Sequence, residues 1–305
     1  MILALAGGVG GAKLANGLAA ILPPERLVIA VNTADDFEHL GFPVSPDIDT
    51  VTYTLAGIND PVQGWGIAGE SWAFMDAVTA LGGESWFRLG DRDLATHVRR
   101  RTLLRDHSLS AVTATIAGAL GVRHAIVPMS DDPVRSLVRT DAGELAFQDY
   151  FVRHQCRPRF ESIRFDGADA ARPSPGLAAA LADPALEAII LCPSNPILSI
   201  APILAIPGVR DAILASPAPV VAVSPFIGGQ AVKGPAAKIM AELGLATTPA
   251  AVIAQYDGLL DGLVIDRADA DGATSAMFVT DTLMRGAADQ RRLATETLDF
   301  ARRLR

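Results

Sequence analysis

The chain has 305 residues, half of them apolar and a fifth charged, with a formal net charge of −8. That length allows a sizeable core, in one large α/β domain or two small ones. The acidic balance lacks the basic footprint that nucleic-acid binding needs and argues against such a partner.

The first element is the apolar run ILALA, which feeds the glycine-rich turn GGVGG and a helix pattern over residues 11–22. LVIAVN reads as the next strand, followed by a polar loop and helix patterns over 67–81, 92–105 and 109–120. HAIVPM is a third strand. VRSLVRTDAGELAFQDYFV then predicts a hairpin turning at Asp141-Ala142-Gly143, and ESIRFDG a further strand. A helix over 175–182, the strands EAIILCP and APVVAVSP, a helix over 234–243, the strand GLVID and a helix over 285–303 complete the series. Short apolar runs of this kind are strands buried on both faces of a parallel sheet. The alternation predicts a Rossmann-like α/β fold, mostly parallel, with helices on both faces and a small antiparallel insertion around 130–170.

Cys156 and Cys192 have no metal-ligand spacing around them and are expected to be packing residues. The chain contains no 18-residue apolar stretch and no signal segment, so a cytoplasmic location is expected.

The glycine turn matches neither common nucleotide motif. The dinucleotide pattern G-x-G-x-x-G fails because lysine occupies position 13. The triphosphate loop fails because Lys13 is preceded by alanine and followed by leucine, so the magnesium-binding hydroxyl is missing. What remains is general: a strand entering a helix through glycines presents backbone N–H groups and a helix dipole to an anion. Gly8, Gly10, Gly11 and Lys13 are therefore candidate phosphate-binding residues.

The next loop, VNTADDFEHLGFPVSPDIDTVTYTLAGIND, carries Asp35, Asp36, Asp47, Asp49 and Asp60. Carboxylates at i and i+2 in a non-helical loop can share a hard cation such as Mg²⁺, and Asp47 and Asp49 have that spacing ahead of a helix beginning near Thr50. In WFRLGDRDLATHVRRR, Asp93 and His97 share a helix face, and the Arg99–Arg101 run reads mainly as a solvated face. CPSNPILSI places Ser194 and Asn195 between prolines after a strand. VSPFIGGQAVKGPAAKIM adds Ser224, a second glycine turn, Lys233 and Lys238.

Taken together, GGVGGAK, NTADDFEHLG, SPDIDTVTYTLAGI, FRLGDRDLATH, PMSDDPV, FQDYFV, PSNPILSI and VSPFIGGQAVKGPAAKIM resemble the 2-phospho-L-lactate transferases of coenzyme F-420 biosynthesis, the CofD type, called FbiA in actinobacteria. The resemblance runs from residue 2 to about 269, and NTADDF departs from it with alanine where glycine is expected. It implies a single domain over 1–305 and transfer of a phospho-acyl group from a guanosine-diphosphate-activated donor to the ribityl hydroxyl of the deazaflavin Fo, with GMP leaving. The acid is 2-phospholactate, phosphoenolpyruvate or phosphoglycerate, and the sequence does not choose among them. Mg²⁺ and a homodimer are also implied.

Under that resemblance Gly8, Gly10, Gly11, Lys13, Ser194, Asn195, Ser224 and Lys233 hold the donor nucleotide. Asp47, Asp49 and Asp60 position the metal, and Asp35 or Asp36 takes the hydroxyl proton. Trp65, Phe87 and His97 line the deazaflavin slot. The rival reading is a nucleotide-sugar-binding regulator of the YvcK type, with a similar fold and glycine loop. A nicotinamide oxidoreductase is a more distant third.

Overall fold

The computed structural model describes residues 1–304. Strands β1 (Ile2–Ala6) and β2 (Leu27–Val31) flank helix α1 (Gly8–Ala19). A hairpin of β3 (Phe37–His39) and β4 (Phe42–Val44) leads into α2 (Pro46–Leu55). Helices α3 (Ala73–Ala80), α4 (Asp91–Leu103) and α5 (Leu109–Ala119) precede β5 (Ala125–Pro128). Strands β6 (Arg135–Thr140), β7 (Gly143–Ala146) and β8 (Phe160–Asp166) follow, then α6 (Pro175–Ala182) and β9 (Ala188–Leu191). Helices α7 (Ala201–Leu204) and α8 (Val209–Ala215) lead to β10 (Val220–Val223). The short hairpin β11 (Phe226–Ile227) and β12 (Gln230–Ala231) comes next, with α9 (Ala236–Glu242) and α10 (Pro249–Ala254) after it. Strands β13 (Gly262–Asp266) and β14 (Met277–Thr280) and helix α11 (Ala287–Arg303) end the series.

The central sheet has the order β14-β13-β10-β9-β1-β2-β5, and every pairing in it is parallel. The Rossmann-like parallel architecture and an antiparallel insertion within residues 130–170 are as the sequence predicts. Strand β1 lies between β2 and β9, with Ile2 opposite both Leu27 and Ala188. The chain leaves β1 toward β2 and β5, then returns to the other side of β1 and proceeds outward. The strand order therefore reverses between β1 and β9, which in open α/β sheets is where ligands bind.

Side-chain alternation splits β1 between two cores. Leu3 and Leu5 join a layer with Leu177, Ile203, Ile213 and Met240. Ile2, Ala4 and Ala6 join the opposite layer with Leu14, Leu18, Leu293 and Leu298. Strands β6, β7 and β8 form an antiparallel sheet, hairpinned at residues 141–142, whose Val138 and Phe160 pack with Phe147, Tyr150 and Ile239.

The sequence reading misses β14, the β3–β4 and β11–β12 hairpins and helices α7, α8 and α10. Strand β14, which carries the apolar residues Met277–Val279, is an edge strand and only half-buried over most of its length. Helix α2 begins at Pro46 rather than near Thr50, because proline is well placed in a first helical turn. No single described helix is long and apolar enough to cross a membrane.

Helices α1 and α11 meet through Gly17. A Cβ there would sit 2.1 Å from the Gln290 carbonyl oxygen, a backbone atom that cannot rotate away. Gly17→Ala should destabilise the protein by about 1–3 kcal/mol through overpacking, read as a lower midpoint in chemical denaturation. An unchanged midpoint would show that the two helices separate freely.

Candidate active site

A cavity of about 490 Å³ opens at the carboxyl ends of β1, β2, β9 and β10. Its floor is the glycine turn. Gly8 has φ of +64°, a conformation that suits glycine. Gly10 and Gly11 serve a different need. A Cβ at Gly10 would lie 2.2 Å from the Pro193 carbonyl oxygen, and one at Gly11 2.5 Å from Ser194 Oγ. These glycines let the turn after β1 press against the loop after β9. Ser194 Oγ then fastens the two, accepting the Gly7 N–H at 3.1 Å and donating to the Gly7 carbonyl at 2.8 Å.

The carboxylates are arranged differently from the sequence reading. Asp47 and Asp49 lie in the first turn of α2, and residues two apart on a helix face different ways. Asp47 turns to the glycine loop. Its Oδ1 accepts the Gly8 N–H at 2.7 Å, and its Oδ2 accepts from Asn32 Nδ2 at 3.0 Å. The same Asn32 amide donates to Asp35 Oδ2 at 3.0 Å. One side-chain amide thus holds two buried acids beside the turn. Burial, joined by the neighbouring charge of Asp47, raises the Asp35 pKa well above the ordinary carboxylate range. Burial pushes Asp47 up to about 6, against hydrogen bonds from Asn32 and Gly8. The Asp35 Oδ1 atom is buried with no hydrogen-bond partner.

Asp49 turns the other way, into an ion pair with Arg100, with Nη1 to Oδ2 at 3.0 Å and a second contact from Nη2 to Oδ1. The ligand atoms of Asp49, Asp93 and His97 all lie within 4.8 Å of one another. A metal ion is disfavoured there because the Arg100 guanidinium already supplies the positive charge, holding Asp49 and standing 3.0 Å from His97 Nδ1. Arg100 is fully buried, whereas Arg99 and Arg101 are exposed, so the arginine run is only partly a solvated face. The signal was the three-residue offset from His97, which puts both on one helix face.

Of the residues singled out in the sequence, Gly8, Gly10, Lys13, Asp35, Asp47, Asp49, Trp65, Phe87, His97, Ser194, Asn195, Ser224 and Lys233 all line the cavity. Three do not. Gly11 packs beneath the turn against Ser194. Asp36 is buried, with Oδ2 accepting from Ser45 Oγ at 2.7 Å. Asp60 lines an adjoining depression, where its Oδ1 accepts the Val62 and Gln63 N–H groups and so orders its own turn.

On the opposite side, Lys13 Nζ donates to the Met284 carbonyl at 3.0 Å. Burial and the nearby Lys233 lower its pKa. Lys233 Nζ reaches the carbonyls of Val62 and Gln63, tying their loop over the glycine turn. Asn195 Oδ1 caps the following helical turn, accepting from Ile197 and Leu198, while its Nδ2 is a buried donor with no partner. At the far end Phe87 is fixed edge-on against Phe37, with ring centroids 4.8 Å apart. Phe147 and Phe151 stack at 5.5 Å and line the cavity with Gln148, a wall that the sequence reading did not assign.

This is a doubly wound α/β protein with a glycine-rich turn, paired acids and an aromatic wall in one cleft. The family described as 2-phospho-L-lactate transferase CofD matches residues 2–301, and the chain belongs to that family. It is 41% identical over 276 residues to a phosphoenolpyruvate transferase of Kitasatospora aureofaciens, covering 88% of this chain and 85% of that protein. It is 38% identical over 269 residues to a 2-phospho-L-lactate transferase of Methanosarcina mazei, covering 88% of each. A crystal structure of a UPF0052-family protein from Bacillus halodurans shares the fold, with a TM-score of 0.56 and 15% identity, covering 97% of this chain and 98% of that one.

Asp36 offers a test of the buried charge. Burial raises its pKa from 3.8 to about 7, partly offset by the Ser45 hydroxyl. A raised carboxyl pKa favours the folded state fully below the unfolded pKa, and that stability is lost as pH climbs through about 7. Asp36→Asn should therefore cancel roughly 2 kcal/mol of the loss between pH 5 and pH 8, measured as denaturation midpoints of both proteins at each pH. Identical pH slopes would contradict the assignment.

Proposed function

We propose that the protein transfers a phospho-acyl group from a guanosine-diphosphate-activated acid to the ribityl hydroxyl of the deazaflavin Fo. The hydroxyl oxygen forms a bond to the acid's phosphorus. The anhydride bond from that phosphorus to the GMP phosphate breaks, and GMP leaves. The observation that carries this reading is the meeting, in one cavity, of the glycine turn, Lys13, Lys233, the Asp35–Asn32–Asp47 group and an aromatic wall.

The donor's diphosphate fits the glycine turn, with Lys13 and Lys233 adding full charges to the partial charge of the helix start. The unpartnered Asn195 Nδ2 and the Ser224 loop offer polar contacts to the guanosine end. Ser194 supports the turn rather than the ligand, since its hydroxyl is taken up by Gly7. Asp47 would hold Mg²⁺, which is commonly bound through one or two carboxylates plus substrate phosphates. A buried acid whose pKa is pushed up to about 6 beside another acid fits such a cation. When bound, the metal supplies charge to offset the diphosphate. Asp35 lines the cavity, and its buried, unpartnered Oδ1 and raised affinity for protons suit it to take the hydroxyl proton. Asp36 faces away from the cavity and is left out of that role. Phosphoryl transfer is mostly positioning and charge neutralisation, so no covalent nucleophile is needed.

The direct experiment incubates purified protein with Fo, Mg²⁺ and each guanylylated acid in turn, with products weighed by mass spectrometry. One acid should yield a phosphodiester of Fo and an equal amount of GMP. If Fo is returned unchanged with all of them, the reading falls. Asp47→Asn should lower kcat/KM by about 10²–10³-fold, as removal of an electrostatic stabiliser typically does. Full activity of that variant at saturating Mg²⁺ would contradict its role.

A further inference from the structure

We propose that Asp93 is a binding residue for the acceptor, taking a hydrogen bond from the ring N–H of its heterocycle, and that Arg100 positions it through His97. The inference rests on the deazaflavin reading above and adds a residue that the reading did not use.

Asp93 lines both the main cavity and the adjoining one, and so do Trp65 and Arg88. Asp35 and Asp47 line only the first. Asp93 thus stands at the aromatic end, away from the acids proposed to serve the transfer. Its side chain is only 16% exposed, yet it borders open space on two sides.

What holds it there can be traced atom by atom. Arg100 Nη1 lies 3.0 Å from His97 Nδ1. A guanidinium has donors and no acceptor, so Nδ1 must be the bare nitrogen and the ring proton sits on Nε2. Nε2 is buried without an aligned partner, and the nearest carboxylate oxygen is Asp93 Oδ2 at 3.4 Å. The other oxygen, Oδ1, accepts from Tyr53 OH at 2.7 Å. Burial, with the charges of Asp49 and Asp93, pushes the Tyr53 pKa upward, so the phenol stays a donor. Asp49 balances the Arg100 charge from behind. Burial alone would raise the Asp93 pKa, but the adjacent His97 ring and the Tyr53 hydroxyl, with Arg100 beyond, outweigh it and hold the carboxyl below its usual range.

An ionised carboxylate only accepts, and each oxygen keeps a further lone pair for a ligand. The edge of a pyrimidinedione ring offers an N–H between two carbonyls. Only the N–H suits Asp93, and Arg88, with its guanidinium stacked 4.3 Å over Trp72, brings donors to the same pair of cavities for a carbonyl. Acceptor and donor side chains at one aromatic slot match that edge, as buried polar pairing requires.

The test titrates Fo, and an Fo analogue methylated at that ring nitrogen, by fluorescence. Wild-type protein should bind the methyl analogue about ten- to a hundredfold more weakly than Fo, the range for a hydrogen bond to a charged group. Asp93→Ala should weaken Fo to a similar degree and bind both compounds alike, while its Kd for guanosine diphosphate stays within about twofold of wild type. The nucleotide serves as the control for folding; if Asp93→Ala does not fold, the two wild-type titrations decide. Equal binding of Fo and its methyl analogue by the wild type, or undiminished Fo binding by a folded Asp93→Ala, would overturn the inference alone. No Fo binding by the wild type would overturn the acceptor reading and this inference with it. In ¹⁵N-histidine spectra of the free protein, His97 should carry its proton on Nε2; a proton on Nδ1 would overturn the positioning role of Arg100.

Discussion

The site depends on the close approach of two loops. The turn after β1 presses on the loop after β9 so tightly that the Gly10 position leaves no room for a methyl group beside the Pro193 carbonyl. The Ser194 hydroxyl locks that contact with two hydrogen bonds to Gly7. The strand order reverses between β1 and β9, and the cavity opens beside these paired loops, bounded also by the segments after β2 and β10. The geometry of the turn is thus set by packing within the chain.

Charge is then distributed around this frame in two buried groups with opposite character. At the turn, Asp35 and Asp47 share one neutral amide, and both are pushed toward their protonated forms by burial. That is an arrangement short of positive charge. Around α4, Asp49 is matched by Arg100, and Asp93 is steadied by His97 and Tyr53. That group has its charges matched and is built to hold a fixed shape. Breaking a buried pair by deleting one partner is strongly destabilising, so Arg100 is structural as well as positional.

Much of the fold was legible in the sequence because six strands of the parallel sheet read as plain apolar runs, and all but the edge strand β5 are buried almost throughout. The seventh, β14, sits half-buried at the other edge, and its apolar residues Met277–Val279 were not read as a strand. The glycine turn was legible as a strand-to-helix turn, but the reason for Gly10 and Gly11 was not. Those glycines answer to Pro193 and Ser194, which lie far along the chain. Asp47 and Asp49 were read together as a metal pair, and their division was missed because the helix starts at Pro46, earlier than expected. Helical spacing sends the two carboxylates apart. The importance of Arg100 was hidden in a run of three arginines, of which only the middle one turns inward. Phe147 and Phe151 were visible only as part of a family motif, since nothing local tells a core aromatic from one lining a cleft.

The central claim is that the turn after β1 holds a guanosine diphosphate together with a divalent cation at Asp47. The most direct measurement is an anomalous difference map from crystals grown with guanosine diphosphate and Mn²⁺. The account predicts one strong peak against Asp47, on the side of the glycine turn, with the phosphates on the backbone of residues 8–11. A peak among Asp49, Asp93 and His97 instead, or nucleotide bound with no metal at Asp47, would contradict it.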